Sequence, residues 1–139
     1  MSTASLPYRP VRPNRRNELR FVVALPVTLL SRRRRVELVT WDVSFRGLYV
    51  ETTDPEPPRR LVRLSVVRPT GAPVVFHGMV VNVVEPRAGE RRPHGMGIEL
   101  FAVDPQTRGE WWELVRFVRD HLLDLDSPSG VRPGPSPIP

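Results

Sequence analysis

Apolar and polar positions follow two rhythms along the chain. Between residues 21 and 101 the apolar residues come in short β-branched runs, separated by clusters of Pro, Gly, Asp and Asn. That pattern predicts strands joined by turns. Residues 21–31 (FVVALPVTLLS) form the first run, and Pro26 inside it suits an edge or bulged strand. Residues 36–41 (VELVTW) alternate and predict a second strand; residues 42–47 (DVSFRG) carry turn formers at both ends, and strand character resumes over 48–52 (LYVET). Together they predict a hairpin with a polar elbow. After the proline-rich break DPEPPRR (54–60), residues 61–68 and 74–84 predict two further strands, and Gly78 in the second marks a bulge or a sharp bend. A loop over 85–93 leads to a last run, GMGIELF (95–101). About six short strands in succession predict a small antiparallel barrel or sandwich.

The rhythm then changes. Asp104-Pro105 is an N-cap followed by proline at the first helical position. Trp111, Val115, Val118, Leu122 and Leu125 recur at spacings of four, three, four and three, one stripe of a helix reaching about Leu125. Trp111 and Trp112 are adjacent and face different directions, so at most one is wholly in the core. Gly109 is a weak point of that helix. Residues 1–14 are proline-rich without apolar periodicity and predict a flexible basic arm, 15–125 the folded unit, and 126–139, rich in Pro, Gly and Ser, a disordered tail.

The length of 139 residues fits one domain, and no apolar run approaches the roughly 20 residues of a membrane-spanning helix. No cysteine is present, which excludes disulfides, a thiol nucleophile and cysteine-ligated zinc. The N-terminus lacks a signal-peptide core, so the expected location is cytoplasmic. All 21 basic residues are arginine, and their placement matters more than the net charge of +6. Residues 1–35 carry +8, residues 36–103 are balanced, and residues 104–126 carry −3. An N-terminal concentration of this kind favours an anionic partner.

Catalytic chemistry finds no support. His77, His94 and His121 stand in unlike contexts, no His-x-His or His-x-x-x-His pair exists, and Gly95-Met96-Gly97 lacks the third glycine and following helix of a phosphate loop. The chain is read as a non-enzyme without cofactor or metal. Two arginine groups remain. Arg32 to Arg35 reads equally as a solvated turn or a general anion-binding patch. Arg16 and Arg20 lie four residues apart where the arm meets the first strand, and guanidinium groups there can fork onto phosphates, bind guanine O6 and N7, or stack on a purine, although a casual basic patch has the same composition. Downstream, Asp42, Ser44 and Gly47 combine a carboxylate able to accept from guanine N1 and N2, a hydroxyl, and a tight backbone; an Asx or Ser turn closing a hairpin is the plainer alternative.

The two groups together, Arg16-x-x-x-Arg20 and Asp42-x-Ser44-x-x-Gly47, resemble the signature of the PilZ domain family. The likeness extends from Arg15 to Leu123 and includes Leu25-Pro26-Val27, the GMGIELF run and the helix after it. The resemblance implies a six-stranded antiparallel β-barrel with a C-terminal α-helix, acting as a receptor for the bacterial second messenger cyclic-di-GMP. It implies that Arg16 and Arg20 engage phosphates and guanines, that Asp42 and Ser44 contact a guanine and its surroundings, and that Gly47 keeps the elbow close. An arginine at position 15 is associated in the family with an intercalated nucleotide dimer. The expected output is an ordering of the arm that an unidentified partner protein reads, from a monomer or weak dimer. Two alternatives stand beside this reading: a PilZ-like adaptor that does not bind nucleotide, with Glu18 an unneeded negative charge in the phosphate site, and a basic-armed barrel that binds nucleic acid. The last lacks the interleaved aromatics of a stacking platform.

Overall fold

The structure, a computed structural model, describes residues 19–85 and 92–122. Seven strands precede one helix: β1 (Phe21–Val22), β2 (Pro26–Leu30), β3 (Arg35–Ser44), β4 (Gly47–Glu51), β5 (Leu61–Val66), β6 (Val74–Val84), β7 (Gly95–Leu100) and α1 (Pro105–Phe117), the last running into a wider π-type turn over Val118–Leu122. All pairings are antiparallel. The order β3-β2-β5-β6-β7-β4 closes through β3–β4 into a six-stranded barrel, and β1 lies beside the far half of β3. Closure removes the unpaired edges that an open sheet must protect.

The first predicted run is two strands on one partner. Val23 to Leu25 leave the ladder, and Thr40 of β3 stitches the gap: its hydroxyl accepts from the Leu25 N–H at 2.9 Å and donates to the Val23 carbonyl at 2.6 Å. Pro26 does not mark an edge, because β2 pairs with both β3 and β5. It opens the strand, where a missing N–H costs no ladder bond, and its carbonyl accepts from Val67 at 3.0 Å. Gly78 is likewise not a bulge; the β6–β7 register is regular there and shifts only between Val80 and Asn82. The glycine is needed for space, since a Cβ would stand 2.5 Å from Ile98 Cγ2. The elbow is also shorter than the sequence suggests. β3 runs through Ser44 and β4 starts at Gly47, leaving Phe45 and Arg46 as a two-residue turn.

Alternate strand residues fill the barrel, among them Val27, Leu29, Val50, Leu64, Val66, Val80 and Ile98, all essentially inaccessible. α1 covers this core with Trp111, Leu114 and Val115, joined by Val118 just beyond it. Each such aliphatic burial contributes about 1.5–3 kcal/mol. The predicted stripe is therefore met at Trp111, Val115 and Val118, widened by Leu114, with Leu122 half-buried; Leu125 lies outside the described residues. Trp111 is in the core and Trp112 is 40% exposed. Asp104 caps α1, accepting from the Thr107 N–H at 2.8 Å, and that bond holds its carboxyl below the usual aspartate range.

Within the four-arginine turn, Arg32 and Arg35 are exposed, whereas Arg33 and Arg34 are tied to a carboxylate of the chain itself. Glu56 is wholly buried beneath the turn, and Arg33 and Arg34 reach Glu56 Oε2 at 3.1 and 2.9 Å. Arg60 adds a longer contact of 3.7 Å, and Arg34 also binds Asp54 at 2.8 Å. Burial opposes the charge on Glu56, but the hydrogen bonds from Arg33 and Arg34 outweigh it and hold the carboxyl below its ordinary range.

Candidate functional site

The far half of β3 carries the polar residues of interest. A register shift between Thr40 and Asp42 interrupts simple alternation, so Asp42, Val43 and Ser44 are all buried in succession. Asp42 sits opposite Val22 of β1 and Tyr49 of β4. This register brings Arg20, immediately before β1, onto the Asp42 carboxylate, with Nη1 3.1 Å from Oδ1. The carboxylate is only 7% exposed, whereas the Arg20 side chain is 34% exposed and faces a cleft.

Arg92, at the start of β7's approach, reaches the other oxygen of Asp42 at 3.5 Å. Its Cζ lies 4.1 Å from the centroid of the Tyr49 ring, a cation–π contact. Tyr49 is itself fully buried and its hydroxyl donates to the Pro93 carbonyl at 2.6 Å.

The Phe45-Arg46 turn completes the site. The Ser44 hydroxyl accepts from the Arg46 N–H at 3.2 Å, so the serine organises its own turn. Gly47 pairs with Ser44 on one side and Glu99 of β7 on the other, and a Cβ there would fall 2.0 Å from the Ile98 carbonyl. Only glycine permits this approach. Both tryptophans of α1 hold the turn from outside: Trp111 donates its indole N–H to the Ser44 carbonyl at 3.0 Å, and Trp112 donates to the Phe45 carbonyl at 3.1 Å. Phe45 stands edge-on to Phe21 and to Trp112, with centroids 6.5 and 6.3 Å apart.

Between these elements lies an open cleft of about 240 Å³, lined by Arg20, Ser44, Arg46, Gly47, Tyr49, Asn82, Arg92 and Glu99 among others. Arg46 is partnered by Glu99 at 3.3 Å. With Arg20, Arg46 and Arg92 on its wall against Glu99, the cleft has a positive excess and forked donors, and the Asp42 carboxylate lies nearly buried behind Arg20 and Arg92. Anions and purine edges fit such a surface. The three histidines contribute nothing here: His77 is exposed on β6, His94 precedes β7, and His121 stacks on Phe117 at 4.4 Å. Among the described residues no group of His, Asp and Glu could hold a metal ion, and no helix is long and apolar enough to cross a membrane.

Of the residues singled out from the sequence, Arg20, Ser44 and Gly47 line this cleft and Asp42 sits directly behind it, held to Arg20 and Arg92; Arg15 and Arg16 lie outside the described residues. Arg46, Tyr49, Asn82, Arg92 and Glu99 were not singled out. Strand alternation could have flagged Tyr49, which follows Gly47 by two positions. Arg92 has no local signal, since it is 50 residues from the aspartate it touches.

Comparison with known proteins decides the family. The sequence profile of the PilZ domain matches residues 14–118, three-quarters of the chain. The chain belongs to the PilZ domain family. The match contains every residue of the two motifs, the whole barrel and α1, and ends where the wider turn begins. Solved structures share the fold. The Bacillus subtilis inhibitor of motility MotI/DgrA superposes with a TM-score of 0.63 at 16% identity over 84% of this chain, which spans only 54% of that protein's length. The PilZ domain of YcgR from Escherichia coli, solved with c-di-GMP, gives 0.61 at 11% identity, over 81% of this chain and 98% of that one. The PilZ domain of CeSA from a cellulose-synthesizing bacterium gives 0.53 at 22% identity, over 73% and 98% respectively. No curated protein matches this PilZ domain by sequence. The six-stranded antiparallel barrel with a C-terminal helix is thus the PilZ architecture.

Proposed function

We propose that this PilZ domain is a cyclic-di-GMP receptor that binds an intercalated dimer of the nucleotide and relays occupancy to a partner protein. The observation carrying this reading is the 3.1 Å contact between Arg20 and Asp42, which joins the two motifs at one cleft. Each ligand molecule has two anionic phosphodiesters and two guanines. Arg20, with Arg16 preceding it, supplies guanidinium forks for phosphate oxygens or for guanine O6 and N7. Asp42 is an acceptor for the guanine N1 and N2 donors, and the Ser44–Gly47 turn brings main chain against the ligand. Arg15 is the residue expected to accommodate the second, intercalated molecule. YcgR, of the same fold, was solved with this nucleotide, which makes it the ligand to test first.

In this scheme the basic segment before β1 orders over the ligand, and its new surface, with α1 behind the turn, is what the partner reads. The domain acts without catalysis and without a cofactor, as a monomer or weak dimer. Isothermal titration calorimetry with cyclic-di-GMP, on the full chain and on Arg16→Ala, tests it. Two molecules per domain, lost in the variant, are expected. A stoichiometry of one retains the receptor and removes the dimer. No heat from folded protein at high micromolar ligand replaces the receptor with an adaptor that works through protein contacts alone.

A further inference from the structure

Arg92 is held unlike an ordinary surface arginine. Its guanidinium lies over the Tyr49 ring at 4.1 Å, and that ring is immobilised by burial and by the hydroxyl bond to the carbonyl of Pro93, the residue next to Arg92 itself. Its contact with Asp42 Oδ2 is long, 3.5 Å, against 3.1 Å for Arg20 on Oδ1. The side chain keeps 29% exposure and lines the cleft. A planar cation backed by an aromatic ring on one face is a stacking platform for a second flat ring on the other. Its weak hold on Asp42 also means that a guanine edge can take Oδ2 while Arg20 keeps Oδ1.

We infer that Arg92 is a further ligand-binding arginine of this cleft, its Tyr49-backed guanidinium stacking on a guanine whose N–H edge is accepted by Asp42. The inference rests on the nucleotide reading above and adds to it a residue outside both motifs. It makes recognition depend on the shape of the guanidinium and not on its charge alone, which separates the base-stacking role from a general electrostatic one.

Cyclic-di-GMP titrations of the full chain, Arg92→Ala and Arg92→Lys, each with thermal unfolding of the ligand-free protein, decide it. The expected result is about tenfold weaker binding by Arg92→Ala, with Arg92→Lys nearly as impaired and both unfolding close to the parent. Parent-like or tighter binding by Arg92→Ala overturns the role while leaving the receptor intact. Full affinity in Arg92→Lys overturns stacking, and it remains informative if the alanine variant does not fold. Absence of binding by the unsubstituted chain removes the receptor reading and this role with it.

Discussion

At the scale of single residues, two glycines show how local space decides the sign of one substitution. Gly47 is hemmed in by main chain, with a prospective Cβ 2.0 Å from the Ile98 carbonyl and 2.9 Å from Glu99 Cα, and neither neighbour can rotate away. Gly47→Ala is expected to cost at least about 1–3 kcal/mol in urea denaturation, because β4 and β7 must part. Gly109, in α1, has nothing within 4 Å of its prospective Cβ. Gly109→Ala is expected to stabilise by about 0.5–1 kcal/mol, through helix propensity and a less mobile unfolded chain. The motif spacing flagged Gly47, but the reason, a close strand–strand approach, depends on a partner more than fifty positions away and is invisible locally. Glu56 is a second such case. Its carboxyl titrates below the ordinary value because the hydrogen bonds from Arg33 and Arg34 overcome burial. A lowered folded-state pKa means that this stabilisation is complete above the unfolded value, about 4.3, and is lost as pH falls through the folded value. Glu56→Gln is therefore expected to lower stability by about 1–3 kcal/mol at neutral pH, the gap from the parent closing below about pH 4. Equal acid sensitivity of the two proteins would assign the acid transition to other groups.

At the scale of elements, legibility followed periodicity and failed where a side chain replaced the regular pattern. β5, β6 and β7 alternate or run apolar to their turns, and the sequence places them within two residues of their observed ends. β3 was read short because the shift after Thr40 buries Asp42, Val43 and Ser44 in succession, which destroys the period of two and makes strand residues look like a polar elbow. The break between β1 and β2 escaped for a related reason: Thr40 supplies its bonds from another strand. α1 was legible from its cap and stripe, yet its second role was not. Its adjacent tryptophans bond the carbonyls of Ser44 and Phe45, so the helix fixes the turn that carries part of the site. Trp112→Ala removes one of these bonds and the edge-on contact with Phe45 from a half-exposed position. A stability loss of about 1–2 kcal/mol is expected by chemical denaturation. If the turn matters to recognition, cyclic-di-GMP affinity falls as well; unchanged affinity in a folded variant would confine the tryptophan to a structural role.

At the scale of the whole molecule, charge and closure act together. The six barrel strands were readable from the sequence, with β1 merged into β2, but closure through β3–β4, β2–β5 and β4–β7 was implied only by family resemblance, since no local pattern says which strands pair. Closure places the start of β1 beside the end of β3, and so sets Arg20, the last residue of the basic segment before β1, at the cleft. A dianionic ligand binding there binds the folded chain and not the unfolded one, because Arg20, Asp42, Ser44 and Gly47 come together only in the closed barrel. Linkage then requires that it raise the unfolding midpoint, by the equivalent of about 2.7 kcal/mol at a free concentration one hundred times its dissociation constant. Part of that gain is Coulombic between partly exposed groups, so it is expected to shrink as salt rises and the screening length falls from about 10 Å at 0.1 M to about 3 Å at 1 M. Arg20→Ala removes a charge and leaves the buried Asp42 with only its longer contact to Arg92 among the described residues, so this variant is expected to be less stable without ligand and to show a smaller ligand-induced shift. A thermal shift in the parent chain that is indifferent to both salt and this substitution would place the nucleotide elsewhere on the molecule.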